Sequence, residues 1–307
     1  MSQTLPRPLR GVITAMVTPL NEDLSLDGKG VTRLIEHLIQ GGVHGIFILG
    51  TTGEAPSLPY EVRAELIERS CEIVASRVPV IVGITDTSYA DAVRMAVKAH
   101  ACGAAGVVAA PPYYFQVMQA DLLVYFRNLA AASPLPLFLY NAPVNTHSWI
   151  ELATAIAAVG EPNIVGLKDS GLTMGYFHAV REGVRHLPEF SLLVGPDELL
   201  AEAVLMGAHG GMAGGSNVWP RLFVDLYDAA LAGDVGRVSS LQQKVIQFGN
   251  AVYRSAAHTA NPTRGLKCAL SVMGICRDAL MQPLQPYSSQ ERAVVEQYLR
   301  GVKELRG

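Results

Sequence analysis

Short apolar runs alternate along the chain with longer stretches in which apolar residues recur every three or four positions. The runs cover 11–17, 46–49, 78–84, 106–110, 136–140, 163–167, 190–194 and 209–213. They are apolar on both faces and bounded by Gly, Pro, Asp or Ser, as expected of strands in a parallel sheet with both faces covered. The stretches between them carry helical spacing and helix punctuation. Asp27 is placed to cap a helix that Gly41-Gly42 closes, and Thr87 or Ser88 to cap another that ends near Cys102-Gly103. Further helices are expected over 60–76, 119–132, 148–159, 174–185, 198–206 and 221–232.

Strand and helix alternate through eight such units in one continuous stretch. That regularity predicts a closed (β/α)8 TIM barrel over residues 1–232, in preference to an open doubly wound sheet. From 233 to 307 the pattern is helical only, with segments at 235–253, 262–273 and 289–302. This C-terminal three-helix region reads as an appendage packed on the barrel or as an assembly surface. Pro262 suits the first turn of its second helix.

Composition narrows the function. Half of the 307 residues are hydrophobic and 17% are charged, which suits a packed globular chain. A net charge of -3 argues against a general nucleic-acid footprint but leaves room for a small anionic substrate. Cys71, Cys102, Cys268 and Cys276 have no metal-ligand spacing, and the first two read as small buried hydrophobes. Residues 1–10 contain no apolar signal core, and no stretch reaches membrane-spanning length without a charge or a breaker. A cytoplasmic, reducing setting is the expectation. No dinucleotide fingerprint, His-Glu-x-x-His run or Gly-x-Ser-x-Gly elbow occurs. The neighbours of Asp86, Asp169 and Asp197 form no convincing metal set.

Chemistry in such a barrel gathers where the strands end. Lys168 ends the sixth strand, whereas Lys29, Lys98, Lys244, Lys267 and Lys303 fall in helical or terminal stretches, where lysine normally points to water. Burial favours the neutral form of an amine, and a neutral amine attacks a carbonyl to form a Schiff base. The competing reading is a structural ion pair with Asp169. Tyr140 ends the fifth strand, either as a packed aromatic or as a proton carrier beside the amine. The second strand runs into Gly50-Thr51-Thr52-Gly53-Glu54. Its exposed N–H groups and hydroxyls can cradle a carboxylate, or it is a plain strand-to-helix turn. Tyr113 and Tyr114 belong to a subunit contact or to a proton relay. Asn145 and His147 lie within reach of the same mouth, although His147 is as well explained by helix capping or solvent. Gly210, Gly211, Gly214 and Gly215 flank the last strand and leave room for substrate. A phosphate cradle there lacks a matching basic residue. Thr51, Thr52, Gly53, Asn145, Gly211 and Met212 are the candidate substrate contacts. An amine mechanism needs neither metal nor cofactor, and none is expected.

Four segments in order resemble one family: Gly50-Thr51-Thr52-Gly53-Glu54, Pro112-Tyr113-Tyr114, Tyr140-Asn141-Ala142-Pro143 and Gly166-Leu167-Lys168-Asp169-Ser170. Each is weak alone. Together they resemble the dihydrodipicolinate synthase/N-acetylneuraminate lyase family of class I, Schiff-base aldolases, over about residues 10–300. The resemblance implies the barrel with a C-terminal bundle, and a homotetramer built as a dimer of tight dimers. It implies an imine between Lys168 and pyruvate or a longer 2-oxo acid, with Tyr140 as proton shuttle and Thr51 and Thr52 holding the carboxylate. Tyr114 would cross the tight interface to complete a relay with Thr52 and Tyr140 of the neighbouring subunit. One position departs from the pattern: the synthases carry arginine where this chain has Asn145, and an amide is no bidentate, charged clamp for a second carboxylate. The implied reaction is therefore reversible aldol cleavage of a 2-keto-3-deoxy sugar acid or a 4-hydroxy-2-oxoglutarate-type substrate to pyruvate and an aldehyde. The alternatives are 4-hydroxy-tetrahydrodipicolinate synthesis, a dehydratase using the same imine, and a non-catalytic barrel that binds sugar acids.

Overall fold

All eight apolar runs form strands, with bounds within two residues of the runs at each end. The computed structural model describes residues 4–253 and 262–302. The strands β1 (Gly11–Ala15), β2 (Gly45–Ile48), β3 (Val80–Gly83), β4 (Gly106–Ala109), β5 (Leu137–Asn141), β6 (Ile164–Asp169), β7 (Ser191–Val194) and β8 (Gly210–Ala213) are parallel neighbours in chain order. β8 pairs back onto β1 and closes the barrel.

Strand side chains alternate between two apolar layers. Ile13, Phe47, Ile81, Val108, Phe138, Val165, Leu193 and Met212 fill the lumen. Val12, Ile46, Ile48, Val82, Val107, Leu139 and Leu167 point outward under the helices. Burying a ring such as Phe47 or Phe138 contributes roughly 1.5–3 kcal/mol, so the double layer fixes each strand's phase. At the N-terminal end of the barrel, two imidazoles close backbone gaps. His44 Nδ1 accepts from the Val12 N–H at 3.1 Å, and His209 Nδ1 from the Leu192 N–H at 3.0 Å. Burial first, and then the charge of Arg10, push the His209 imidazole down to about 4.

The helices are α1 (Gly28–Gln40), α2 (Tyr60–Val74), α3 (Tyr89–Ala101), α4 (Gln119–Ala132), α5 (Pro143–Thr146), α6 (Leu152–Ala158), α7 (Met174–Gly183), α8 (Leu200–Leu205), α9 (Pro220–Leu231), α10 (Val235–Val252), α11 (Thr263–Val272) and α12 (Ser289–Gly301). Asp27 caps α1 by accepting from the Gly30 N–H at 2.9 Å, and Ser88 caps α3. Pro262 stands one residue before α11, not inside it. The helix expected over 148–159 is shortened to α6, and the unexpected short helix α5 precedes it in the loop after β5. Pro143 starts α5, and His147 ends it in a left-handed conformation (φ 53°). The Asn141 side chain then takes the Ile150 N–H at 3.0 Å, which sets the chain's direction into α6. The helix expected at 198–206 is shortened to α8 behind a 3-10 turn at Asp197–Leu199.

α10 packs on α9, and α12 packs on α10 and α11. Among the described residues, no helix is long and apolar enough to cross a membrane. Lys267, expected to point to water, is completely buried. Its stretch is helical, but the face it occupies is turned onto the barrel mouth, where a buried carboxylate meets it. Lys303 lies outside the described residues.

Candidate active site

A break in the strand pairing aims the lysine. Between β5 and β6 the register runs from Leu137↔Ile164 to Phe138↔Gly166, leaving Val165 as an extra residue. Such a bulge re-aims the side chains beyond it. Val165 belongs to the lumen layer, and a Cβ on Gly166 would also meet the lumen, 2.5 Å from the Phe138 ring. From there the alternation resumes, so Leu167 points under the helices and Lys168 into the barrel mouth.

Lys168 is 4% exposed and sits directly across from Tyr140 in the β5–β6 pairing. Its Nζ lies 4.2 Å from the Tyr140 ring centroid and 5.0 Å from that of Phe47. Asp169 is no ion-pair partner for it. That carboxylate accepts from Asn141 Nδ2 at 2.8 Å and from the Gly171 N–H at 2.9 Å, on the other face of the strand. Burial raises the Asp169 carboxyl, partly offset by these two bonds.

Tyr140 is also buried, at 7% exposure. Burial alone would raise its phenol. The charge of Lys168 and the hydrogen-bonding contacts of its hydroxyl with Ser170, Thr51 and Lys168 together outweigh burial, and the phenol lies below its ordinary value. A phenol so placed can exchange a proton with whatever is bound at the amine. Gly195 leaves the space this arrangement needs: a Cβ there would stand 1.9 Å from Ser170 Oγ and 3.1 Å from Lys168 Cε.

Tyr140 and Phe47 line a cavity of about 230 Å³, together with Leu49, Gly50, Thr51, Ala55, Pro56, Thr85, Ala110, Tyr113, Ala142, Asn145 and Thr146. Its walls are mostly apolar and none of these residues is cationic. The nearby guanidinium of Arg63 is held by Asp86 at 3.0 Å and by the Leu58 carbonyl at 2.9 Å. The turn after β2 is tight: Gly53 N–H donates to the Gly50 carbonyl and Glu54 N–H to the Thr51 carbonyl. Thr18 Oγ donates to the Gly53 carbonyl at 2.7 Å. Beside this turn, on the same rim, Asp197 accepts from the Gly214 and Gly215 N–H groups and, at 2.5 Å, from the Tyr253 hydroxyl. Burial first raises its carboxyl to about 6 despite these donors.

The structure therefore brings Lys168, Tyr140, Thr51 and Asn145 to one mouth. Thr52 stands on the rim, where a Cβ on Gly214 would lie 3.8 Å from its Oγ1. Gly53 is buried in the turn beneath. Met212 reaches the lumen layer with Phe47 and Tyr140, while a Cβ on Gly211 would point outward to Leu200. His147 is exposed and outside the cavity lining. Tyr114 is 77% exposed and pairs edge-on with Phe115, away from Tyr140. It is Tyr113 that lines the cavity of its own chain. Ser170 was not anticipated as a site residue. Its signal was the strand period itself, since residues two apart share a face and Ser170 follows Lys168 by two.

A closed barrel with a buried amine beside a tyrosine at the C-terminal ends of its strands has the makings of a Schiff-base lyase. Comparison with known proteins agrees. The sequence model of the Dihydrodipicolinate synthetase family matches residues 8–301, and the chain belongs to that family. It is an enzyme of the pyruvate-dependent, Schiff-base-forming class I aldolase type. A 4-hydroxy-tetrahydrodipicolinate synthase of Gluconacetobacter diazotrophicus is 34% identical, with 95% of this chain and 96% of the relative covered. One from an Azoarcus species is 36% identical, covering 91% and 93%. Among solved structures, dihydrodipicolinate synthase from Bacteroides thetaiotaomicron superposes with a TM-score of 0.93 at 45% identity, covering 96% of this chain and 99% of that one. YagE of E. coli K12, a family member solved in complex with pyruvate, gives 0.88 at 29% identity, covering 95% and 98%.

Proposed function

We propose that this enzyme cleaves a 2-keto-3-deoxy sugar acid or a 4-hydroxy-2-oxoglutarate-type acid reversibly to pyruvate and an aldehyde, through an imine on Lys168. The observation that carries the imine is the placement of the Lys168 amine, buried and against Tyr140, at the mouth. The amine attacks the keto carbon, Tyr140 moves the protons, and water leaves as the imine forms. Thr51 and Thr52 hold the substrate carboxylate. The imine then withdraws electrons from the chain. The C4 hydroxyl loses its proton, the C3–C4 bond breaks, and the aldehyde departs. The remaining enamine takes a proton at C3, and water releases pyruvate and the free amine. Condensation is the reverse.

Cleavage is favoured over synthesis by Asn145 and by the absence of a cation among the described residues of the cavity lining. An aldehyde partner with its own carboxylate would enter a mostly apolar wall with no counter-charge, which is costly. The same chemistry favours the sugar acid of the two substrate types. A second reading, 4-hydroxy-tetrahydrodipicolinate synthase, draws support from the names of the curated relatives. A dehydratase would use the same imine. We also take Tyr114 to act in a neighbouring subunit, within a homotetramer of tight dimers. Its exposure, with Phe115 at 75% and Met118 at 73%, leaves an apolar rim open to a second copy.

The deciding experiment offers the enzyme a panel of 2-keto-3-deoxy acids and 4-hydroxy-2-oxoglutarate, scoring pyruvate release, and in parallel pyruvate with aspartate semialdehyde. Pyruvate release from a panel acid, with slow semialdehyde turnover, is expected. Efficient semialdehyde condensation without cleavage of any panel acid would establish the synthase reading instead.

A further inference from the structure

The turn bearing Thr51 and Thr52 is held from the far end of the chain. Glu54, the last residue of that turn, adopts a left-handed conformation (φ 59°), unusual for a residue with a side chain. Its carboxylate is buried, with the side chain 1% exposed. Oε1 makes an ionic contact of 2.5 Å with Lys267 Nζ of α11, and Oε2 accepts from the Met281 N–H at 2.8 Å. Lys267 is 0% exposed, and its Nζ also donates to the Ala279 carbonyl at 2.7 Å. Thr263, at the start of α11, donates its hydroxyl to the Thr52 carbonyl at 3.1 Å.

These contacts converge on one turn from two C-terminal segments. A fully buried ion pair is poor evidence of stability, because desolvating both charges offsets their attraction. Its worth here lies in direction. A carboxylate fixed on both oxygens pins the left-handed residue, and the residues before it can take only one path back to β2.

We propose that Glu54 and Lys267 are positioning residues, which hold the Thr51–Thr52 turn from the C-terminal helices and so set the enzyme's affinity for the 2-oxo acid carboxylate. This rests on the reading that Thr51 and Thr52 bind that carboxylate. The pair touches no reacting atom, so its loss acts through the turn: it chiefly weakens substrate binding and, because Thr51 also contacts the Tyr140 hydroxyl, lowers the rate at saturation only modestly.

The test measures borohydride-trapped imine against pyruvate concentration, together with thermal stability. The variants are Glu54→Gln, Lys267→Met, the two combined, Thr263→Val and, as reference, Thr51→Ala. Glu54→Gln keeps an acceptor for the Met281 N–H, and the combined variant leaves no unpaired charge in the core. The combined variant is expected to recover the melting temperature lost by either single change. Its half-saturating pyruvate concentration stays raised about tenfold, while the trapping rate at saturation moves less than about threefold. Thr263→Val shifts half-saturation in the same direction with a near-normal melting temperature, and it carries the test if the core variants fail to fold. Unchanged half-saturation in the folded variants, with Thr51→Ala raised, would overturn the proposal and leave the carboxylate cradle standing. Unchanged half-saturation in Thr51→Ala itself would overturn the cradle, and with it this route of action.

Discussion

Tyr140 shows how much of the site is decided by the neighbours of a single hydroxyl. Burial disfavours its phenolate, and the charge of Lys168 with the contacts from Ser170 and Thr51 reverses the balance. Tyr140→Phe keeps the ring that packs against Lys168 and Phe47 but removes the hydroxyl that we propose carries the proton. Pyruvate binding should persist and turnover should fall by about 10²-fold or more, as measured by steady-state kinetics. Turnover at the wild-type rate would take Tyr140 out of the proton path. The placement of Lys168 and Tyr140 at the mouth was legible because each is a polar side chain at the end of an apolar run. Lys267 was not legible. Helical lysines usually face water, and only the folded chain shows that its face meets the Glu54 carboxylate.

At the scale of elements, the alternation of apolar runs and amphipathic stretches contained the eight strands and nearly all of the helices. What it did not contain was phase. The extra residue at Val165 is invisible in a run that is apolar on both faces, yet it decides whether Lys168 points into the barrel or out of it. Gly166 permits the bulge, because any Cβ there would meet the Phe138 ring at 2.5 Å and the Ser191 carbonyl at 2.7 Å. Gly166→Ala should therefore destabilise the fold by about 1–3 kcal/mol. It should also slow imine trapping more than a remote change of equal destabilisation, because the strand that aims the lysine must shift. Chemical denaturation and trapping rates measured on the same samples check both halves. Equal trapping rates would mean that the bulge does not position the amine. The short α5 and the late start of α6 were missed for a related reason. Their cause is a left-handed His147 and a side chain of β5, and neither disturbs the apolar spacing.

Across the whole molecule, the barrel gathers residues from β2, β5 and β6 at one mouth, and the C-terminal helices reach over to the same rim through Thr263, Lys267 and Tyr253. The closed order of the sheet was legible from the eightfold alternation. The reach of α11 into the mouth was not, because no local pattern records which helix face meets a distant turn. The mechanism rests on the Lys168 amine. The measurement that tests it most directly is intact mass and peptide mapping after borohydride reduction with pyruvate, for the native enzyme and for Lys168→Ala. A single reduced pyruvyl adduct on Lys168 is predicted, with none on the variant, whose circular dichroism remains that of the folded barrel. An adduct that survives the substitution or maps to another lysine would contradict it. So would a variant that cannot fold, since Lys168 would then be a structural residue.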